Sequence, residues 1–442
     1  MPFISRSWLP LAALLSLTPG AISAVSPRGH PAGPAPVGKA IYILTNDESN
    51  AVVALPIGPD GKLSAGTVTA TDGAGSIALN ADNQPATPDA LVGQSSLTIA
   101  GNVSPSRLFP QRAKSTNPPY QSIFAVNAGS NTLSMLTISR SDPTKLTAVG
   151  KPVAIPAEFP NTVGASAKHG LACVGASGAT AGIACSAFSP ARGLGPMDAL
   201  RPYDLGQTTP PVGPTNTVSH VFFSDDETAL FVTVKGDPPT NKTGFFSRFP
   251  VTTTGGGNGG CGQKPPKKGG NRASVSMTEQ RSVPKDTLVL FGSQPVPGTH
   301  DVFATDAGFG AAVLRVDPQS GEAATVAVGT IEGQAATCWV ALSPATGTAF
   351  VTDFGVNRLV EMSVADAKVV STLDLSANGD MGLTDVRVAG NFVYALAPGN
   401  GTTQSAITVV DVSGGPGSAV MVQHFSLDGF ADHRAVGMTV LV

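Results

Sequence analysis

The chain has 442 residues, of which 51 are Gly and 37 Pro; 13% are charged, and the formal net charge is -3. That balance leaves no electrostatic footprint for nucleic acid, and the many turn formers set among β-branched residues favour short strands over helices, an all-β chain. The length suits either two or three ordinary domains or one large repetitive one.

The first residues carry Arg6, the apolar run WLPLAALLSL and the small-residue stretch TPGAISA. This is the order of a secretory signal peptide, predicted over residues 1–24. Residues 25–38 are rich in Pro and Gly and predict disorder. No later apolar run has the ~20 residues needed to cross a bilayer, so no membrane span is expected and the mature chain reads as secreted, extracellular or in the cell wall. Sequons at Asn102, Asn241 and Asn400 suit that route.

From residue 39 onward one layout recurs: an apolar strand, a turn rich in Gly, Asn and Asp, and a second strand. It is seen at Tyr42 (YILTNDESNAVVALPIG), Phe124 (FAVNAGSNTLSML), Leu171 (LACVGASGATAGIACSAFS), Phe231 (FVTVKGDPPTNKTGFFSRFPV), Phe303 (FATDAGFGAAVLRVDP), Phe350 (FVTDFGVNRLVEM) and Tyr394 (YALAPGNGTTQSAITVVDV). The steps from Phe303 to Phe350 and from Phe350 to Tyr394 match the roughly 40 to 50 residues of a four-stranded propeller blade. Longer steps carry insertions read as loops: SPSRLFPQRAKSTNPPYQ, GLGPMDALRPYDLGQTTPPVGPTN, and a Gly/Lys stretch whose basic run KPPKKGG reads as a solvated loop. Blade one starts with what is a second strand elsewhere, and RAVGMTVLV is left over at the C-terminus. The expectation is a seven-bladed β-propeller over 39–442, closed by the C-terminal strand completing the first blade.

The four cysteines, Cys173, Cys185, Cys261 and Cys338, permit three connectivities. The spacing in CVGASGATAGIAC sets Cys173 and Cys185 on strands flanking one turn and favours that pair, leaving Cys261 with Cys338. Neither pair has zinc-site spacing, and no cofactor or metal cluster is expected.

The segments FAVNAGSNTLSML and FVTDFGVNRLVEM resemble the repeats of the seven-bladed lactonase propellers, which include 6-phosphogluconolactonase and the fungal 3-carboxymuconate cyclase. With the leader, GLGPMDALRPYDLGQ and DDETALFVTVKGDP are most similar to secreted fungal 3-carboxymuconate cyclase-like proteins. The resemblance implies formation or opening of a lactone of a small carboxylate substrate. It also places the cyclases' catalytic His, which precedes a D-P-T-E-T-like turn, at Ser219 before SDDET.

In such a blade, inner-strand starts and the turns between second and third strands converge on one mouth of the channel. His220, Asp385, His433 and Arg434 occupy the first kind of position, and Lys235, Asp237, Asp353 and Arg358 the second. Arg434 and Lys235 are the candidate carboxylate-binding cations and His220 the proton carrier; Asp385 completes the candidate catalytic set, with bonding to blade backbone as its structural alternative. Arg434 paired with Asp385 across the seam between blades seven and one is the structural alternative. Asp306 and Asp353, in TDAG and TDFG, read as turn-capping residues, and His169 as a turn residue. The expected partner is a small carboxylate or lactone at the channel mouth of a monomeric protein. The competing expectation is a non-catalytic secreted or wall-associated glycoprotein with a binding or antigenic surface.

Overall fold

The computed structural model describes residues 37–100, 121–254 and 272–442. The predicted leader, nearly all of the Pro/Gly-rich segment, Asn102, most of the insertion before Phe124, the basic run and Cys261 lie outside them. Among the described residues the backbone forms seven antiparallel sheets, each with a four-stranded meander, and no α-helix. The inner strands are Val436–Leu441, Leu97–Ala100, Pro160–Ser166, Val218–Phe223, Leu290–Pro295, Thr337–Ser343 and Thr384–Ala389, for blades one to seven. Each packs on the next to close a ring. The closing strand Val436–Leu441 pairs antiparallel with Ala40–Leu44, as expected from the unpaired ends of the sequence.

Hydrophobic residues fill the seams between blades. In blades one, two, four, five, six and seven the third residue of the second strand is Tyr42, Phe124, Phe231, Phe303, Phe350 or Tyr394, all buried. In blade three that position is Cys173 rather than Leu171, which opens its strand. Cys173 lies directly opposite Cys185 on the third strand and is bonded to it, so a disulfide stands where six blades place an aromatic ring. Burial falls outward: Thr348–Asp353 of blade six is wholly buried, whereas its outer strand Val369–Asp374 alternates between exposed and half-buried.

The insertion expected to be a loop after blade three is partly strand. Gly193–Met197 forms the outer strand of that blade, and Arg201–Tyr203 also pairs with its third strand, Ala181–Ser189. Gly and Pro hide this from propensity, because an edge strand needs only free backbone on its neighbour. Buried Arg201 then donates to Val275 O and Ser276 O of blade four, at 2.7 Å each, and pairs with Asp198 at 2.9 Å.

One irregularity recurs at the start of the inner strands: an extra residue bulges out of register. It is Gly437, Asn161, Ser219, Cys338 or Asp385 in blades one, three, four, six and seven. A bulge re-aims its side chain, and here three of them tie one blade to the next. Asn161 Nδ2 donates to Val218 O at 2.6 Å, Ser219 Oγ to Leu290 O at 2.8 Å, and Asp385 Oδ2 accepts Met438 N at 2.7 Å.

Candidate functional site

The axis of the ring is occupied by the protein itself. Between the outer strand of blade one, Thr67–Ala70, and the inner strand of blade two, the chain turns inward, and Val92 to Ser96 reach inner strands around the ring. Gln94 N donates to Ser219 O at 2.8 Å, and the Gln94 side chain brackets Val340, donating from Nε2 to its O at 3.1 Å and accepting its N–H at 3.2 Å. Val163 N donates to Ser95 O and Val126 N to Ser96 O. Gly292 and Gly437 face this segment so closely that a Cβ would lie 2.0 Å from Gln94 Oε1 and from Ser96 Oγ, respectively. Val92 and Ser95 hold φ values of 49° and 64°. For β-branched Val92 this is a strained conformation costing roughly 1–3 kcal/mol, maintained by its partners.

His220 and Asp385 face Ser95. Ser293 N–H donates to His220 Nδ1 at 3.3 Å, which leaves the proton on Nε2 to donate to Ser95 Oγ at 3.1 Å. The ring stacks on Phe222 at 4.8 Å. Burial, with Arg387 adding to it, pushes the imidazole down to about 3, so it is neutral at physiological pH. Asp385 is fully buried, and burial raises its carboxyl against the pull of Arg387, whose guanidinium lies 2.6 Å away and also donates to Ser95 Oγ at 2.9 Å. Arg387 was not among the expected residues. It sits two positions beyond Asp385 on the same strand, but the bulge at Asp385 breaks the period-two alternation there, so strand spacing gave no signal for it.

Arg434 stands apart from this group. It is held by Asp432 at 3.2 Å and Asp47 at 3.3 Å, so the partner of Asp385 in the blade-seven to blade-one seam is Met438 N and not Arg434. Asp306 takes Leu288 N, Val289 N and Gly308 N, and Asp353 takes Ala335 N, Ala336 N and Gly355 N. Both therefore cap the turns as their repeated position suggested. Asp237 accepts from Thr215 Oγ1 at 2.9 Å, Arg358 donates to Glu332 O at 2.9 Å, and His433 lies 3.8 Å from Asp432. His169, in the turn before the second strand of blade three, bonds Glu227 O at 2.8 Å. Ser219 is buried, with its hydroxyl spent on Thr233 and Leu290.

Lys235 is the expected residue that lines a cavity. It follows the second strand of blade four and is 1% exposed. Its Nζ bonds Val92 O and lies 4.3 Å from the centroid of the Phe291 ring. The cavity, about 270 Å³, lies at the mouth between blades four, five and six, with Asp89, Val92, Phe291, Phe354 and Cys338 also on its wall. Burial lowers the Lys235 ammonium and raises the Asp89 carboxyl, while each charge draws the other back toward its ionised form. Asp89 Oδ1 in turn accepts Val92 N at 2.9 Å. Burial also drives the Cys338 thiol well up. The expected pairing of Cys338 with Cys261 involves a residue outside those described. A larger hollow of about 440 Å³ on the opposite face is lined by Asp226, Arg248, His300 and Asp301. Its carboxylates are already engaged, Asp226 by Ser224 and Thr228 and Asp301 by Arg315. Among the described residues no three His, Cys, Asp or Glu side chains converge as a metal site would require.

A closed ring of seven four-stranded blades is the architecture shared with lactonase-type propellers. The periplasmic gluconolactonase of Pseudomonas aeruginosa is 12% identical and superposes with a TM-score of 0.53 over 91% of this chain and 99% of its own. A putative 6-phosphogluconolactonase from Bacteroides fragilis is 9% identical, with a TM-score of 0.51 over 92% and 98%. At such identities the likeness defines the fold. No family model and no curated protein matches the chain.

Proposed function

We propose that the mouth cavity is the working site of a secreted lactonase-type propeller that takes a small carboxylate or its lactone. The observation that carries this reading is the presence of a buried Lys235 and a carboxyl, Asp89, on the wall of one cavity. For lactone opening, Asp89 accepts a proton from water as its oxygen bonds to the lactone carbonyl carbon. Lys235 N–H donates to the oxygen that gains charge. The ring C–O bond then breaks, and protonated Asp89 returns its proton to the leaving alkoxide, giving a hydroxy acid. Cyclisation of an unsaturated acid uses the same pair, with Lys235 holding a carboxylate. A carboxylate oxygen of the substrate bonds to one alkene carbon, the C=C π pair takes the proton of protonated Asp89 on the neighbouring carbon, and Asp89 regains a proton from water. Asp89 stands in the role first given to His220, whose ring nitrogens are both engaged. In this reading His220, Asp385 and Arg387 hold the axial segment that carries Val92, and Arg434 is a rim residue.

The test is turnover of aldonolactones, simple γ-lactones and 3-carboxymuconate by the purified protein. Asp89→Asn keeps the acceptor for Val92 N and removes the base, so activity should fall at least 100-fold, within the usual range for a general base, with the β-rich circular dichroism spectrum of the parent retained. No turnover of any of these compounds by the parent protein rejects catalysis. The second reading, a secreted or wall-associated protein that binds without turnover, is favoured by one observation: the axis is filled by the chain's own Gln94 and Ser95.

A further inference from the structure

The cavity wall is chemically one-sided. Val92, Val289, Phe291, Ala307, Ala336 and Phe354 give it an apolar wall, and among the described residues that line it Lys235 and Asp89 carry the only charges. Asn80, also on the wall, already accepts Asp82 N and Gln84 N with its side-chain oxygen, at 2.9 Å each. Thr87 is exposed. Each hydroxyl of a polyol brought into such a site loses its water and finds few partners, at a cost of roughly 1–3 kcal/mol apiece. An aromatic or aliphatic body meets two Phe rings instead. The charge balance is equally selective. Lys235 spends one N–H on Val92 O and keeps two for a ligand, while a second carboxylate on the ligand would face the anionic form of Asp89.

Resting on the mouth cavity as the working site, we infer that its ligand is a compact, apolar or aromatic monocarboxylate, or the lactone of one, rather than a sugar acid or a polycarboxylate. The volume of about 270 Å³ sits just below the roughly 300–1,000 Å³ of drug-sized sites and suits a single ring bearing one acid group. The carboxylate meets Lys235 Nζ and the ring lies against Phe291 and Phe354.

Trp339 provides the readout, because its ring lies 5.0 Å from that of Phe291. Its emission is followed during titration with benzoate, benzamide, isophthalate and gluconate, with calorimetry in parallel. Benzoate should bind, benzamide and isophthalate at least tenfold more weakly, and gluconate most weakly. Lys235→Met should abolish benzoate binding. Because Lys235 also anchors Val92, Phe354→Ala at the half-buried rim gives an independent measure and should weaken benzoate about tenfold, the effect of losing about 1.4 kcal/mol of contact. Gluconate or isophthalate binding as tightly as benzoate, and sensitive to both substitutions, would overturn the ligand class and leave the cavity as the site. No binding by any of the four would overturn both.

Discussion

The neutral, buried His220 makes a pH-dependent contribution whose sign and size follow from its surroundings. Its imidazole titrates near 6.5 in the unfolded chain and is pushed down to about 3 in the fold, first by burial and second by Arg387. Between those values the unfolded chain binds a proton that the folded one does not. The contribution is therefore full above pH 6.5 and is lost as pH falls toward 3. At pH 4.5 the gap of two pH units below the unfolded value corresponds to about 3 kcal/mol. Asp306 and Asp385, whose carboxyls burial raises, have the opposite pH dependence, so the parent protein's acid profile mixes both signs. His220→Gln isolates the histidine: its amide can still donate to Ser95, and it does not titrate. Urea unfolding of both proteins at pH 7.5 and 4.5 gives a double difference. The parent should lose about 3 kcal/mol more than the variant on acidification. Equal losses would mean that His220 is accessible to water or already charged, and would remove the basis for treating it as a locked strut.

Two other perturbations address the ring and its axis. Deleting Ala435–Val442 removes the inner strand of blade one and leaves the axis-facing edge of Ala40–Leu44 unpaired, so the whole domain should lose cooperative folding; a truncated chain melting like the parent would contradict closure. Gln94→Ala leaves the buried N–H and C=O of Val340 without their partner. It should cost about 2 kcal/mol, read as a lowered urea midpoint, and an unchanged midpoint would mean that the segment does not brace blade six.

The fold was legible because repetition amplified a weak local signal. Aromatic residues at the third position of six second strands, followed by turns rich in Gly, Asn and Asp, gave the blade count, and the unmatched strands at both ends gave the closure. Blade three was anchored two residues early because Cys173 replaces the aromatic, although the same cysteine gave its disulfide away by its spacing from Cys185. The site was less legible. Lys235, marked by its place just after a second strand, lines the cavity, whereas His220 and Asp385, marked by their places at inner-strand starts, face Ser95 on the axis. Asp89, Gln94 and Ser95 lie in DALVGQSS, which follows no strand period and belongs to no blade. What places it is a set of tertiary hydrogen bonds to five blades, through Val126, Val163, Ser219, Val340 and Arg387. No one-dimensional pattern records such bonds. Arg434 was drawn into the expected site by its place before an inner strand, but Asp432, two residues earlier, holds it at the rim.

The most direct measurement is diffraction from crystals of the protein soaked with benzoate. The carboxylate should lie within about 3 Å of Lys235 Nζ, with the ring against Phe291 and Phe354. A benzoate lodged beside Arg387 and Ser95 on the axis, or in the hollow lined by Asp226 and His300, would contradict this placement.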